Sequence, residues 1–213
     1  MSCCAAPGCE RTFDKKHAAH EFRNYQKNGP IATTKALIHA IKRAGVQDDT
    51  LLDIGGGVGA IQIELLKSGA RSAVSVDASA AFEALARAEA SREGLSDRIR
   101  YESGDFVELA ARIAPADIVT LDRVVCCYPN MESLIRLSTQ RSRRVYGLVY
   151  PRDRRLNRTF IRVQNFLRGL PRNPFRSFVH SVETMDGLIA AAGFTLRQRV
   201  RTFVWEVSVY EKG

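Results

Sequence analysis

Apolar positions along the chain switch between a helical period and short strand-sized runs, and the order of the switches outlines a fold. Phe13 to Gln26 has helical spacing and is stopped by Asn28-Gly29-Pro30. Thr33 or Thr34 is placed to cap a second helix, in which Leu37, Ile38 and Ile41 recur at helical intervals before Gly45. Strand-sized runs then follow at 51–54, 73–76, 98–102, 116–121 and 144–150. Helical stretches separate them: Ile61 to Leu66, the Ala-rich 80–92, and 132–140. Beyond Pro151 the rhythm changes. A basic amphipathic helix spans 160–167, a break covers 170–174, a helix covers 182–192, and strands at 194–200 and 203–210 lie close enough to pair tightly. Regular alternation of strand and helix predicts an α/β, Rossmann-like, mostly parallel seven-stranded sheet with helices on both faces. The closing pair of strands predicts that the C-terminal strand inserts antiparallel.

A chain of 213 residues, 45% of them hydrophobic, suits one substantial core. Residues 1–30 read as a tail and lid helix, and 31–213 as the main domain, with 151–181 as a basic insert over an acceptor site. The apolar runs are far shorter than the roughly 20 residues that span a bilayer. The N-terminus lacks a basic start followed by an apolar stretch. A cytoplasmic protein without a membrane partner is therefore expected. The five cysteines, Cys3, Cys4, Cys9, Cys126 and Cys127, include two adjacent pairs and predict reduced thiols. The net charge of +9 is concentrated between Arg141 and Arg176, where eleven arginines face one acid, Asp153. That segment either meets an anionic partner or faces water.

Candidate chemistry gathers at strand ends. The turn Asp53-Ile54-Gly55-Gly56-Gly57-Val58-Gly59 follows a strand and opens a helix, where missing side chains let backbone N–H groups approach a cofactor. The same glycines fit a dinucleotide fingerprint, so three acids carry the distinction. Asp53 suits the amino group of an amino-acid moiety and would gain nothing beside a pyrophosphate. Asp77, followed by Ala78, can hold two ribose hydroxyls. Asp105 can accept from an adenine amino group while Phe106 covers the ring. After the fourth strand, Asp122 could reach the cofactor and Tyr128 could line the acceptor pocket. His180, Tyr128 and Asp122 are the candidate bases if the acceptor must lose a proton, and Tyr25 could fold over the cofactor. Cys126 and Cys127 read as small buried residues rather than nucleophiles. His17 and His20 near the N-terminal cysteines match no zinc spacing, so no metal is expected.

These residues resemble the class I S-adenosylmethionine-dependent methyltransferase family, over roughly the whole chain after Thr33. The resemblance implies that the Gly-rich turn, Asp77, and Asp105 with Phe106 bind the methionine portion, ribose and adenine respectively. A looser resemblance, to magnesium-protoporphyrin O-methyltransferase-like proteins, lies in the 121–129 and 178–181 stretches. The expected function is methyl transfer from S-adenosylmethionine to a small, possibly anionic acceptor, on oxygen. An RNA or DNA methyltransferase using the arginines is the first alternative. A nicotinamide-dependent oxidoreductase and a cofactor-binding module without catalysis are the others.

Overall fold

The computed structural model describes residues 12–170 and 173–213. The tail with Cys3, Cys4 and Cys9, and Pro171 and Arg172 of the expected break, lie outside the described residues. Seven strands form one sheet: Thr50–Ile54 (β1), Ser72–Asp77 (β2), Ile99–Ser103 (β3), Ala116–Asp122 (β4), Ser142–Pro151 (β5), Phe194–Arg201 (β6) and Trp205–Lys212 (β7). Their order is β3-β2-β1-β4-β5-β7-β6. Neighbours from β3 through β5 run parallel, while β7 is antiparallel to both β5 and β6. The expected insertion of the last strand is therefore present.

Both faces of the sheet are covered, which is why its strands read as continuous apolar runs rather than as alternating patterns. Leu52, Val119, Tyr146 and Tyr210 point into one core, with Leu134 and Ile135 of helix α6 (Met131–Gln140) and Ile189 of helix α8 (Val182–Ala191). Leu51, Ile118, Val145 and Val209 point into the other. That core is closed by helices α2 (Ala32–Arg43), α3 (Ala60–Lys67) and α4 (Ala80–Arg92). Among the described residues, three further α-helices are α1 (Lys15–Asn28), a single turn α5 (Phe106–Leu109) and α7 (Arg155–Gly169).

Two expectations need correction. Helix α2 begins at Ala32, after Ile31 as its N-cap, so Thr33 and Thr34 do not cap it. Both are buried inside the helix, and the Thr34 hydroxyl donates instead to Asp122 Oδ2. The basic helix is also longer than its apolar pattern suggested, starting at Arg155 rather than Phe160. The buried Asn157 anchors that extra turn by donating from Nδ2 to the carbonyls of Arg152 (2.9 Å) and Val204 (3.1 Å).

Gly147 in the middle of β5 lets α2 lie close on the sheet. A Cβ there would sit 2.8 Å from Leu37 Cδ1 and 3.4 Å from Ile41 Cδ1. Gly147→Val is therefore expected to destabilise the fold by ~1–3 kcal/mol through overpacking, despite the better strand propensity of valine. Urea unfolding of the two proteins checks this, and equal midpoints would contradict it.

Candidate cofactor and acceptor site

The sheet order reverses beside β1, and the crevice outside the carboxyl ends of β1 and β4 is where open α/β sheets place ligands. The turn after β1 is shaped for that edge. Gly55, Gly57 and Gly59 all have positive φ (69°, 55° and 82°), a conformation that favours glycine. A side chain at Gly55 would overlap Val124, and one at Gly56 would overlap Gln62 and Ser75. At Gly57 a Cβ would meet only the Gly55 carbonyl, at 3.9 Å, because this glycine faces open space. The turn is clamped to β2: the Gly55 N–H donates to the Val76 carbonyl (2.7 Å), and the Gly57 N–H to Asp77 Oδ2 (2.9 Å). The other Asp77 oxygen accepts from the Ser79 N–H at 2.8 Å.

Two cavities meet over this turn. The larger, about 420 Å³, runs from Gly55, Gly57, Asp77 and Ala78 past Asp105, Phe106 and Tyr128 to Phe160, Arg168 and Phe175. The smaller, about 270 Å³, lies between α1 and the glycines and is lined by Tyr25, Asp53 and Gly56 among others. His17, Glu21, Gly55, Gly57, Asp122 and Arg123 border both. An ion pair from Glu21 to Arg123 (3.7 Å) holds α1 across the boundary. Arg123 has φ 61°, a strained conformation for a residue with a side chain. Over the larger cavity, Phe13 stacks edge-on against Phe175 (5.4 Å) and Phe82 (6.3 Å), joining the N-terminal segment, α4 and the stretch after α7.

The acids at the strand ends differ in how they are held. Asp53 is buried, and its carboxylate accepts from Thr120 Oγ1 (2.7 Å) and Gln62 Nε2 (3.1 Å). Burial outweighs those two bonds and pushes its pKa up to about 7. Burial also raises the pKa of Asp122, against the opposing pull of Arg123 and Thr34. Asp122 Oδ1 and Arg123 Nε, 3.5 Å apart, are both buried without a hydrogen-bond partner among the described residues. Asp105 caps α5 through the Val107 N–H (3.0 Å) and accepts from the Tyr128 hydroxyl at 3.0 Å. Gln62 Oε1 is a further buried acceptor without a partner among the described residues, beside the glycine turn.

Residues 51–143 match a family model described as a methyltransferase domain. The sheet order and this match are those of the class I methyltransferase fold. The cofactor of such domains is S-adenosylmethionine. Solved structures share the fold at low identity. Magnesium protoporphyrin IX methyltransferase from Synechocystis, with bound S-adenosylhomocysteine, is 16% identical with a TM-score of 0.75, covering 96% of this chain and 98% of that one. An O-methyltransferase family protein from Burkholderia thailandensis is 14% identical with a TM-score of 0.68, covering 95% of this chain and 64% of that one. The [4+2]-cyclase SpnF is 13% identical with a TM-score of 0.63, covering 84% and 81%. A cyclase among them means that the fold by itself does not assign the reaction. No curated protein sequence matches the chain significantly.

The fold brings most of the residues singled out in the sequence to this edge. Ile54, Asp77, Ala78, Asp105, Phe106, Asp122 and Tyr128 line the larger cavity, Asp53 and Gly56 the smaller, and Gly59 caps α3 behind them. His180 is elsewhere. It lines neither of these cavities, and its Nε2 lies 3.1 and 3.0 Å from the carbonyls of Val125 and Tyr128. There the ring pins the segment before α8 to the loop after β4, a positioning contact rather than that of a base facing an acceptor; burial lowers its pKa. The sequence placed Arg123 at the ligand-bearing end of the fourth strand and Arg168 in the basic segment, but it gave no sign of Glu21 or Phe175, nor of which arginine reaches the cavity. Only their meeting across 150 residues of chain distinguishes them, and no local pattern marks them.

Asp53 gives a pH test. Its pKa is higher in the fold than the ordinary 3.8, so the native state holds the proton more tightly. The stability this contributes is complete below about pH 4 and is lost as pH rises through about 7. Asp53→Asn removes that loss. Its stability relative to the native chain should improve between pH 4 and 7 by at most about 4 kcal/mol, read by denaturant unfolding. A difference independent of pH would contradict the raised pKa.

Proposed function

We propose that this protein is an S-adenosylmethionine-dependent methyltransferase that methylates an oxygen of a small, largely apolar acceptor bearing an acidic group. The observation that carries this reading is the set of carboxylates around the bare glycine turn. Asp53, Asp77, Asp105 and Asp122 would repel a pyrophosphate and suit a cationic cofactor with an ammonium group, a ribose diol and an adenine amine. On this reading Asp77 takes the ribose hydroxyls, Asp105 the adenine amine, and Phe106 the adenine face. Asp53, Asp122 and the glycine N–H groups hold the amino-acid end. The unpartnered oxygens of Asp122 and Gln62 are acceptors suited to that ammonium, directly or through water.

The bound cofactor supplies a sulfonium methyl that is already activated for transfer to a lone pair. What the chain itself contributes is alignment and dryness. Glu21 and Arg123 keep α1 closed over the turn, while Phe13, Phe82 and Phe175 exclude water from the larger cavity. Arg168 reaches that cavity beside Phe175, its guanidinium 5.1 Å from the ring centroid, and burial lowers its pKa. A half-buried guanidinium at this position favours an acceptor carrying a carboxylate. Such an oxygen is already ionised at neutral pH and needs no base, which suits a site where Tyr128 is engaged with Asp105 and His180 points elsewhere. The neighbour that acts on magnesium protoporphyrin supports a macrocyclic or polycyclic acceptor. The nucleic-acid alternative is weakened because several arginines of the basic segment are spent internally. Arg141 donates to the Ala110 carbonyl, Arg144 to those of Ala44 and Gly45, and Arg158 pairs with Asp153.

Calorimetric titration with S-adenosylhomocysteine tests the reading. One-site binding is expected, weakened at least about tenfold by Asp77→Ala and by Asp105→Ala, with the unliganded melting temperature as the control for folding. Because an ammonium group favours ionised Asp53, affinity should also rise as pH increases through about 7. Absence of binding, or binding of a nicotinamide dinucleotide instead, would overturn it.

A further inference from the structure

Helix α7 is built inside out. Leu156, Phe160, Val163, Leu167 and Leu170 recur at alternating four- and three-residue steps, the spacing of a buried helical stripe. Here that stripe faces outward: Leu156 is 62% exposed and Phe160 63%, with Phe166 beside them at 70%. The polar side is the one turned to the protein. Asn157 is buried, Asn165 exchanges hydrogen bonds with the Ser177 backbone (2.8 and 2.9 Å), and Arg168 donates to Ser177 Oγ (2.8 Å). Phe203, 72% exposed in the β6–β7 turn, extends the patch, because Asn157 and Arg152 fasten that turn to the start of α7. Scattered exposed apolar residues need no explanation, but a contiguous patch on one helix does.

Charge identifies what would cover it. Arg155, Arg158 and Arg162 form a row along one flank of the stripe, and the guanidinium groups of Arg155 and Arg162 make no ion pair among the described residues. The whole chain carries a net charge of +9. A second copy laid antiparallel on the same stripe would set arginine row against arginine row, and two such chains repel. A nucleic acid would satisfy the arginines but leave the phenylalanines and leucines in water. An anionic lipid surface satisfies both, since apolar side chains enter the acyl boundary while arginine stems reach back to the headgroups.

We propose that the outward face of α7, with Phe203, docks in the plane of a bilayer containing anionic lipids. No helix among the described residues is long and apolar enough to cross a membrane, so the contact is peripheral. It revises the expectation of no membrane partner, which rested on the search for a spanning segment. Docking stands whether or not the cavity transfers methyl groups. Phe160, Ile161 and Arg168 also line the larger cavity, so the docked face would bring the cavity wall to the lipid.

The test uses the full chain and vesicles of phosphatidylcholine, alone or in equimolar mixture with phosphatidylglycerol. The chain should sediment with the mixed vesicles, more weakly with phosphatidylcholine alone, and less as salt is raised. Phe166→Glu with Leu167→Glu should reduce association about tenfold or more. Arg155→Glu with Arg162→Glu should abolish the preference for phosphatidylglycerol. All four side chains are exposed, so circular dichroism and melting temperature should not change. Failure to associate at low salt, or association unchanged by both double variants, would overturn the proposal. A dimer broken by Phe166→Glu with Leu167→Glu, without vesicle binding, would assign the face to a second copy and overturn it as well.

Discussion

The site depends on one carboxylate that serves two loops. Asp77 stands where β2 ends and holds the glycine turn after β1 with one oxygen and the turn into α4 with the other. Both turns leave the sheet at its carboxyl edge, one of them beside the point where strand order reverses, and both carry backbone N–H groups that no strand satisfies. Tying them through a single side chain fixes the bare face of Gly57 toward the cavities. The left-handed glycines make the turn possible, and Asp77 fixes its orientation.

Around that fixed point the molecule accumulates features that cost stability. Asp53 and Asp122 are carboxylates in surroundings that disfavour their charge, Arg123 has an unfavourable backbone conformation, and buried oxygen and nitrogen atoms of Gln62, Asp122 and Arg123 lack partners among the described residues. Such features persist only where the surrounding structure over-determines them, and their concentration at one sheet edge is a functional signature. The two cores, each with a full set of packed strands and helices, supply the necessary stability. A cationic ligand at that edge would relieve the same strain, because it favours the ionised acids.

The fold was legible because its signals are local and repeated. Each parallel strand appears as an apolar run, each crossover as a helical stretch, and the strand-end residues fall next to those runs. Asp53, Asp77 and Asp105 could be singled out for that reason. Helix boundaries were less legible: Thr33 and Thr34 resemble caps, yet tertiary packing takes them into the helix and gives Thr34 to Asp122. His180 looked like chemistry because histidine titrates near neutrality, whereas its role depends on two carbonyls more than fifty residues away. The helical period of α7 was visible, but the period of a stripe does not say which way the stripe faces. Asn157 decides that, through carbonyls that only the folded chain brings to it.

The most direct test of the central claim is a crystal structure of the protein grown with S-adenosylhomocysteine. The account predicts the ribose hydroxyls on Asp77, the adenine beside Asp105 and Phe106, and the amino-acid end over Gly55 to Gly57. Ligand bound away from the carboxyl ends of β1 and β2, or a pyrophosphate-bearing ligand seated on the glycine turn, would contradict it.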